Sequence, residues 1–594
     1  MISSAHTDIL LSGLLLAGIG VLLWKLRYPA KLGKIFLYSA QAIWTLTMLV
    51  SILYAWFWTL TGSPLNYPWL RYSDFMMSPD AQSAVMAQFS WTGLLGICIA
   101  IALYVALQFF IKKGLMELGE KYGRQRLLGV FGALWGLYLL ISFGVLSIWA
   151  VPQSHQISPL IQFMASTPLF HESAPLHDWP TDPEVESQIS QTHHPLQLEK
   201  PNASIKNVLF VVLESTAARY VQTYDSSFQV TPHIAQYRDQ ALQFDAAYTH
   251  VPSTNKALFS LLTSTYPLPN FNSVTQQSPE VELPALPAVL ERQGYRTGFF
   301  TSADNRFQRI GTFLEAQKFG QIQDHRSIAC SQIHESAHST HWKYMNTIED
   351  GCVEPAFWDW VQESPDEPFF AVCWTNQTHY PYLVTDPLDS IDTSNRLRNR
   401  YLNALRESDQ MFGKLMEGLK SRSLLDETLV VVLGDHGEAF GEQGQFGHAG
   451  HILEDHIKIP LLLIHGETFQ GESRSEPVGM IDIAPTVTHV LGIPSPSQWQ
   501  GSSLLGPRVQ PNVYFFAPFS SFLFGYRNAE FKFMVDAGYG RSFLYDVEAD
   551  PREQKNLIDQ YPAWRGQGMT QIASWIKYHD RHLEQILKVP ENLD

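Results

Sequence analysis

Apolar and polar positions change rhythm twice along this chain. The first part carries four long, nearly uncharged apolar runs, Ile9–Leu26, Phe36–Leu60, Trp91–Ile111 and Leu127–Val151. Each approaches or exceeds the roughly 20 residues that cross about 30 Å of hydrocarbon. Residues 152–205 are rich in Pro, His, Ser and Gln and have no sustained period, which predicts a linker. From residue 206 the apolar runs become short. Val208–Leu213, Thr297–Thr301, Phe369–Thr375, Thr428–Leu433 and Pro460–Ile464 read as buried strands. Helical spacing separates them at Leu283–Gln293, Ser394–Leu419 and Ile481–Leu491. Strand–helix alternation predicts an α/β domain, a mostly parallel sheet covered by helices on both faces. After Gly492 short strands follow one another, at Tyr514–Ala517, Phe522–Gly525, Phe531–Val535 and Phe543–Tyr545. These predict a small antiparallel subdomain at about 510–594.

The long runs predict a transmembrane domain of four helices over residues 1–151, with Trp24, Trp56, Trp58, Trp91 and Trp149 near segment ends as an interfacial belt. One loop carries Lys25, Arg27, Lys31 and Lys34. Another carries Lys112, Lys113, Lys121, Arg124 and Arg126, whereas the loop between them has only Arg71. The positive-inside rule places the two basic loops in the cytoplasm and exports residues 206–594. The expected location is a bacterial inner membrane, multi-pass, with the catalytic domain facing the periplasm or outside.

Composition changes this picture in two places. A net charge of −16 argues against nucleic acid as a partner, because phosphate backbones need clustered Lys and Arg. Of four cysteines, Cys98 falls in a membrane segment and Cys373 in an apolar strand, while Cys330 and Cys352 flank a polar, His-rich insertion. An oxidising compartment permits a disulfide between the last two.

The chemistry starts at Val431-Val432-Leu433-Gly434-Asp435-His436-Gly437-Glu438, where an apolar strand stops abruptly in two metal-ligand side chains. Open α/β sheets place their sites at such carboxyl ends. Val208–Leu213 ends likewise in Glu214. Alone, Asp-His-Gly is a short tripeptide and Glu214 a strand-end carboxylate. Together with Pro252-Ser253-Thr254-Asn255-Lys256-Ala257-Leu258-Phe259-Ser260-Leu261-Leu262-Thr263-Ser264-Thr265-Tyr266-Pro267 they form a pattern. That pattern resembles the alkaline phosphatase/sulfatase superfamily, and within it the membrane-anchored lipoteichoic acid synthase and phosphoethanolamine transferase branches. The matches run from Val208 to about Leu557.

The resemblance implies an alkaline-phosphatase-like fold and one divalent metal ion, Mn, Zn or Mg, held by Glu214, Thr254, Asp435 and His436. Counting back from Leu261-Leu262-Thr263 places the nucleophile at Thr254, with Ser253 as the fallback; the spacing alone equally allows an N-cap threonine. Sulfatases need Cys or Ser there, then Pro two residues on and Arg four on, to make formylglycine. This chain has Lys256 and Leu258 instead, which points to a plain threonine. His379, in Thr378-His379-Tyr380-Pro381-Tyr382, and His448, in Gly447-His448-Ala449-Gly450, match catalytic and anion-contacting positions of the family, and His451 lies nearby. Arg309, in Asp304-Asn305-Arg306-Phe307-Gln308-Arg309, matches a phosphoglycerol-contacting arginine in spacing, Gln308 departs from the motif, and a solvated surface arginine is the alternative. Two further segments match the fold. One is Met480–Thr486, with Gly492-Ile493-Pro494. The other is Leu544–Glu553, with Asn556-Leu557, a tail more sulfatase-like than synthase-like.

The resulting expectation is an enzyme that moves a phosphoglycerol- or phosphoethanolamine-type group from a phospholipid donor to a glycan or lipid acceptor. A membrane-tethered hydrolase of phosphate, phosphonate or sulfate esters is the alternative.

Overall fold

The computed structural model describes residues 179–190, 204–330, 347–385, 388–506, 512–519, 522–537 and 540–587. The four segments expected to span a membrane lie outside the described residues. Among the described residues no helix is long and apolar enough to cross a membrane.

The centre is an eight-stranded sheet. In chain order its strands are β1 (Asn207–Leu213), β2 (Ala241–Phe244), β3 (Arg296–Thr301), β4 (Gln321–Gln323), β5 (Phe369–Trp374), β6 (Thr428–Gly434), β7 (Leu461–Ile464) and β8 (Glu472–Arg474). In space they run β8-β2-β7-β6-β1-β5-β3-β4. All neighbouring pairs are parallel except those made by β7, which is antiparallel to both β2 and β6. The mostly parallel sheet expected from the alternation is therefore present. Strands β2, β4 and β8 were not anticipated. They are short, and β4 and β8 are not buried, so they lack the apolar run that marks a central strand.

The three central strands are buried at every position and, apart from Asn207, Thr428 and Gly434 at their ends, apolar, because both faces are covered. Alternate side chains serve opposite layers. Val208, Phe210, Val212, Leu429, Val431 and Leu433 pack with helices α2 (Thr254–Thr263) and α5 (Ile483–Leu491). Leu209, Val211, Leu213, Val430 and Val432 pack with α3 (Val353–Glu363) and α4 (Arg396–Ser421). Asn395 caps α4, its side chain accepting the N–H groups of Leu397 and Arg398.

The C-terminal subdomain is a four-stranded antiparallel meander, β9 (Val513–Ala517), β10 (Leu523–Arg527), β11 (Lys532–Asp536) and β12 (Arg541–Tyr545). It also contains a helix that the sequence reading passed over, α6 (Ala563–Leu587). The signal was there: Ile572, Trp575, Ile576, His579 and Leu583 are buried at helical spacing. Trp575 stacks on Tyr514 with ring centroids 4.9 Å apart. The stretch read as a linker also holds a helix, α1 (Pro183–Ser190). Its Glu186 pairs with Lys577 (2.8 Å) and Arg581 of α6.

The tail motif serves the fold. Glu553 is buried and takes the ammonium of buried Lys532 at 2.7 Å, and its other oxygen accepts the backbone N–H of Glu454. Glu454 holds the same ammonium at 3.0 Å and the Tyr248 hydroxyl at 3.1 Å. The meander is thereby fastened to the segment just beyond the Asp-His-Gly strand.

Cys330 and Cys352 are joined by a disulfide that closes a separation of 22 residues. Loop-entropy arguments put its worth at about 3 kcal/mol. Replacing both cysteines by serine should lower the unfolding free energy in urea by about that amount; an unchanged midpoint and slope would show that the bridge constrains nothing.

Candidate active site

Strand register builds the site. Leu213 lies opposite Gly434, so Glu214 and Asp435 leave the sheet side by side. Val212 lies opposite Trp374, so Thr375 arrives beside them. The Thr375 hydroxyl accepts the N–H of Glu214 at 3.0 Å, and the Trp374 indole donates to Glu214 Oε2 at 3.0 Å. Asp435 Oδ1 accepts two backbone N–H groups, from Ser215 and His436, each at 2.8 Å. The glycine of Asp-His-Gly is required by close approach. A Cβ on Gly437 would stand 2.1 Å from the Asp455 carbonyl oxygen.

Thr254 is the first residue of α2, and Ser253 occupies the cap position. The Thr254 hydroxyl makes no cap. It lies 3.2 Å from Glu214 Oε1 and 3.3 Å from His436 Nε2. The Ser253 hydroxyl bonds Asn255 Oδ1 instead. Thus the structure brings Glu214, Thr254, Asp435 and His436 together, and the N-cap alternative for Thr254 does not hold.

His436 Nδ1 lies 3.0 Å from the carbonyl oxygen of Gly437, a contact that requires the proton on Nδ1. The lone pair of Nε2 is then free toward the cluster. Glu214, Asp435 and His436 each offer a ligand atom within 4.8 Å of the others, all buried. Asp435 Oδ2 is buried and accepts no hydrogen bond. Burial pushes the Asp435 carboxyl up to about 6, and burial together with the neighbouring Asp435 charge lifts Glu214 above its usual range. Burial, then the neighbouring His448 charge, brings His436 down to about 4. Two carboxylates out of water, a neutral imidazole with an inward lone pair and an unpartnered oxygen together fit a divalent cation.

Two more histidines flank this cluster. His448 has its ring centroid 4.3 Å from that of His436 and 5.7 Å from that of His379. It sits beyond the short hairpin of Ala439–Phe440 and Phe446–Gly447. His448 Nδ1 bonds Glu438 Oε2 at 2.7 Å, and Glu438 Oε1 accepts the Tyr382 hydroxyl at 2.6 Å. Burial alone would lower the His448 pKa, but the charge and hydrogen bond of Glu438 outweigh it and hold the imidazole above its usual range. His379 points Nδ1 at the Tyr380 carbonyl oxygen, 2.9 Å away, and burial keeps its pKa below the usual value despite the nearby Glu214 charge.

Other expectations fare differently. Arg309 is half exposed and pairs with Glu280 at 3.6 Å. Its neighbour Gln308, the residue that departs from the family motif, reaches the Asn255 amide and Ser273 beside the nucleophile position. His451 lies next to His456, ring centroids 6.0 Å apart, and burial drives its pKa down to about 3. Glu438, Tyr382 and Trp374 were missed. Glu438 and Tyr382 stood inside the motifs already singled out, while nothing in the sequence marks Trp374.

The fold is that of the alkaline phosphatase superfamily. A superfamily member from Vibrio parahaemolyticus superposes with a TM-score of 0.55 at 19% identity, covering 69% of this chain and 99% of that one. The lipoteichoic acid synthase LtaP from Listeria monocytogenes superposes at 0.54 with 17% identity, covering 68% and 98%. Residues 206–493 match the sulfatase family model. Lipoteichoic acid synthase 2 of Bacillus subtilis is 24% identical over 307 residues, 48% of this chain and 45% of the relative. The ulvan-active sulfatase of Formosa agariphila is 22% identical over 378 residues, 55% and 72% respectively. The chain spans about half the length of the synthases it matches.

Two outcomes follow for purified protein. Mn²⁺, Zn²⁺ or Mg²⁺ at a hundredfold excess over its dissociation constant should raise stability by about 2.7 kcal/mol, and Asp435→Asn should remove most of that gain in a thermal melt; an equal gain in the variant would place the ion elsewhere. In the metal-free protein, Glu438→Gln should lower the His448 pKa by imidazole NMR, because the largest effects opposing burial are removed and only the Glu214 and Asp435 charges still raise it. The same variant loses the pairing stability that wild type holds at low pH and gives up as pH rises through the raised His448 pKa.

Proposed function

We propose that this chain is an envelope transferase. It moves a phosphoglycerol- or phosphoethanolamine-type group from a phospholipid to a hydroxyl on a glycan or lipid, through a phospho-threonine intermediate. The observation that carries this reading is the Thr254 hydroxyl, set between Glu214 and His436 at the start of α2. The formylglycine route of sulfatases has no counterpart here. Lys256 stands where that signature needs proline, and its ammonium is spent on the carbonyls of Leu268, Asn270 and Asn272. The hydrophobic segments of residues 1–151 would keep the domain at the membrane, where donor headgroups are concentrated.

Glu214, Thr254, Asp435 and His436 would hold one divalent cation. When bound, it supplies charge that favours the Thr254 alkoxide and the developing phosphoryl charge. Thr254 Oγ1 attacks phosphorus and the bond to diacylglycerol breaks. Glu438 biases His448 toward the charged form and engages its Nδ1, so in that form Nε2 is the donor left for the departing alkoxide. In the return step the acceptor hydroxyl gives its proton to His448 and attacks the same phosphorus, which frees Thr254. His379 keeps its Nδ1 proton on the Tyr380 carbonyl, and a second proton on Nε2, favoured by an arriving anion, would let it donate to a phosphoryl oxygen. Arg309 has no assigned step; it pairs with Glu280.

The sulfatase-like tail supports a second reading, a membrane-tethered ester hydrolase in which water takes the place of the acceptor. Both readings need Thr254. Thr254→Ala in metal-replete membranes should abolish diacylglycerol release from labelled phospholipid, a loss of at least a thousandfold by analogy with removal of other catalytic nucleophiles. Undiminished release would reject the covalent route. Label recovered on a glycan or lipid supports transfer, and label recovered as the free phosphoester supports hydrolysis.

A further inference from the structure

The loop that carries His379 is gripped by a carboxylate that has no place in the reaction. Asp350 lies just before α3, fully buried. Its Oδ1 accepts the Ser302 hydroxyl at 2.6 Å and the Asn376 N–H at 2.7 Å. Its Oδ2 accepts the Ser408 hydroxyl at 2.8 Å, and the Gln377 N–H reaches both oxygens at 3.3 Å. The Asp350 N–H donates in turn to Gln377 Oε1 at 2.8 Å. These partners come from the residue after β3, the turn after β5 and the middle of α4. Asn376 and Gln377 open that turn, and the His379 N–H closes it on the Asn376 carbonyl at 3.0 Å. Thr378 ties the same turn to the Glu214 carbonyl.

Among the described residues no lysine, arginine or histidine nitrogen lies within 4.0 Å of this carboxylate. Burying an unpaired carboxylate is costly, and hydrogen bonds from N–H and O–H groups must compensate. Burial pushes the Asp350 pKa up to about 6, those hydrogen bonds working against it. Filling space or closing the α3 turn needs no charge. What a charged acceptor adds is a rigid hold on several donors at once, which fixes the turn relative to β3 and α4.

We propose that Asp350 is the positioning residue for His379, setting the histidine against the anion site from across the β3–β5 edge. It touches no reacting atom. This rests on the anion-contacting role given to His379 above. Asp350→Asn keeps the shape but turns one acceptor into a donor facing other donors. The turn then loosens while the fold is retained.

The test is a double-mutant cycle on the full chain, metal-loaded, with inorganic phosphate as the probe and binding read by calorimetry. His379→Ala and Asp350→Asn should each weaken phosphate roughly ten- to a hundredfold. The double variant should bind no more weakly than His379→Ala alone, a coupling that a general loss of stability would not produce. Wild-type affinity in Asp350→Asn, or losses that add in the double variant, would overturn the proposal while leaving the role of His379 intact. Wild-type affinity in His379→Ala would sink both. Should Asp350→Asn fail to fold, Ser302→Ala and Ser408→Ala each remove one donor, and the same non-additivity with His379→Ala is required of them. Diacylglycerol release is a separate readout, so the transferase reading stands or falls independently.

Discussion

The structure depends on holding two carboxylates next to each other out of water. Glu214 and Asp435 leave neighbouring parallel strands at matched register, and neither is exposed to solvent. Like charges at that spacing repel, and burial raises the cost further. The protein compensates in part with backbone and indole N–H groups, while His436 turns a lone pair toward the same space. What remains is a deficit of positive charge facing a threonine hydroxyl. That deficit explains the suitability for a cation, and it explains why Thr254 at the start of α2 is pulled into side-chain contacts instead of capping its helix.

Around this centre the sheet delivers chemistry through loops whose geometry is set at a distance. The His448 hairpin is controlled by Glu438 and Tyr382, which fix its proton on the Glu438 side and leave the other nitrogen to act. The His379 turn is held by Asp350 from one direction and by the Glu214 carbonyl from another. The two flanking histidines therefore differ electrically, one biased toward the charged form and one toward the neutral form.

The C-terminal meander contributes stability and closure. Lys532, Glu454 and Glu553 form a buried charge cluster that joins β11 to the segment following His448, and α6 covers the meander with Trp575. The tail motif that resembles sulfatases is thus accounted for by packing.

Much of the architecture was legible in the chain itself. Apolar runs through β1, β5 and β6 identified strands buried on both faces, and the residues that follow them, Glu214 and Asp435-His436, named three members of the central cluster. Short or exposed strands, β2, β4 and β8, left no such trace, since an edge or a four-residue strand buries too little to shape its sequence. Lys256 showed as a departure from the sulfatase signature, but not as an ammonium locked by three carbonyls. Which side chain supports which was equally invisible. Glu438 beside His448, Trp374 on Glu214, and Asp350 under the His379 turn are contacts between segments brought together by folding. Local sequence determines what an element is and where it ends, because periodicity and chain sterics act over a few residues. Only the tertiary structure decided protonation, orientation and hydrogen-bond partners, because those follow from burial and from neighbours far away in the chain, such as Ser215 and Asp435, 220 residues apart.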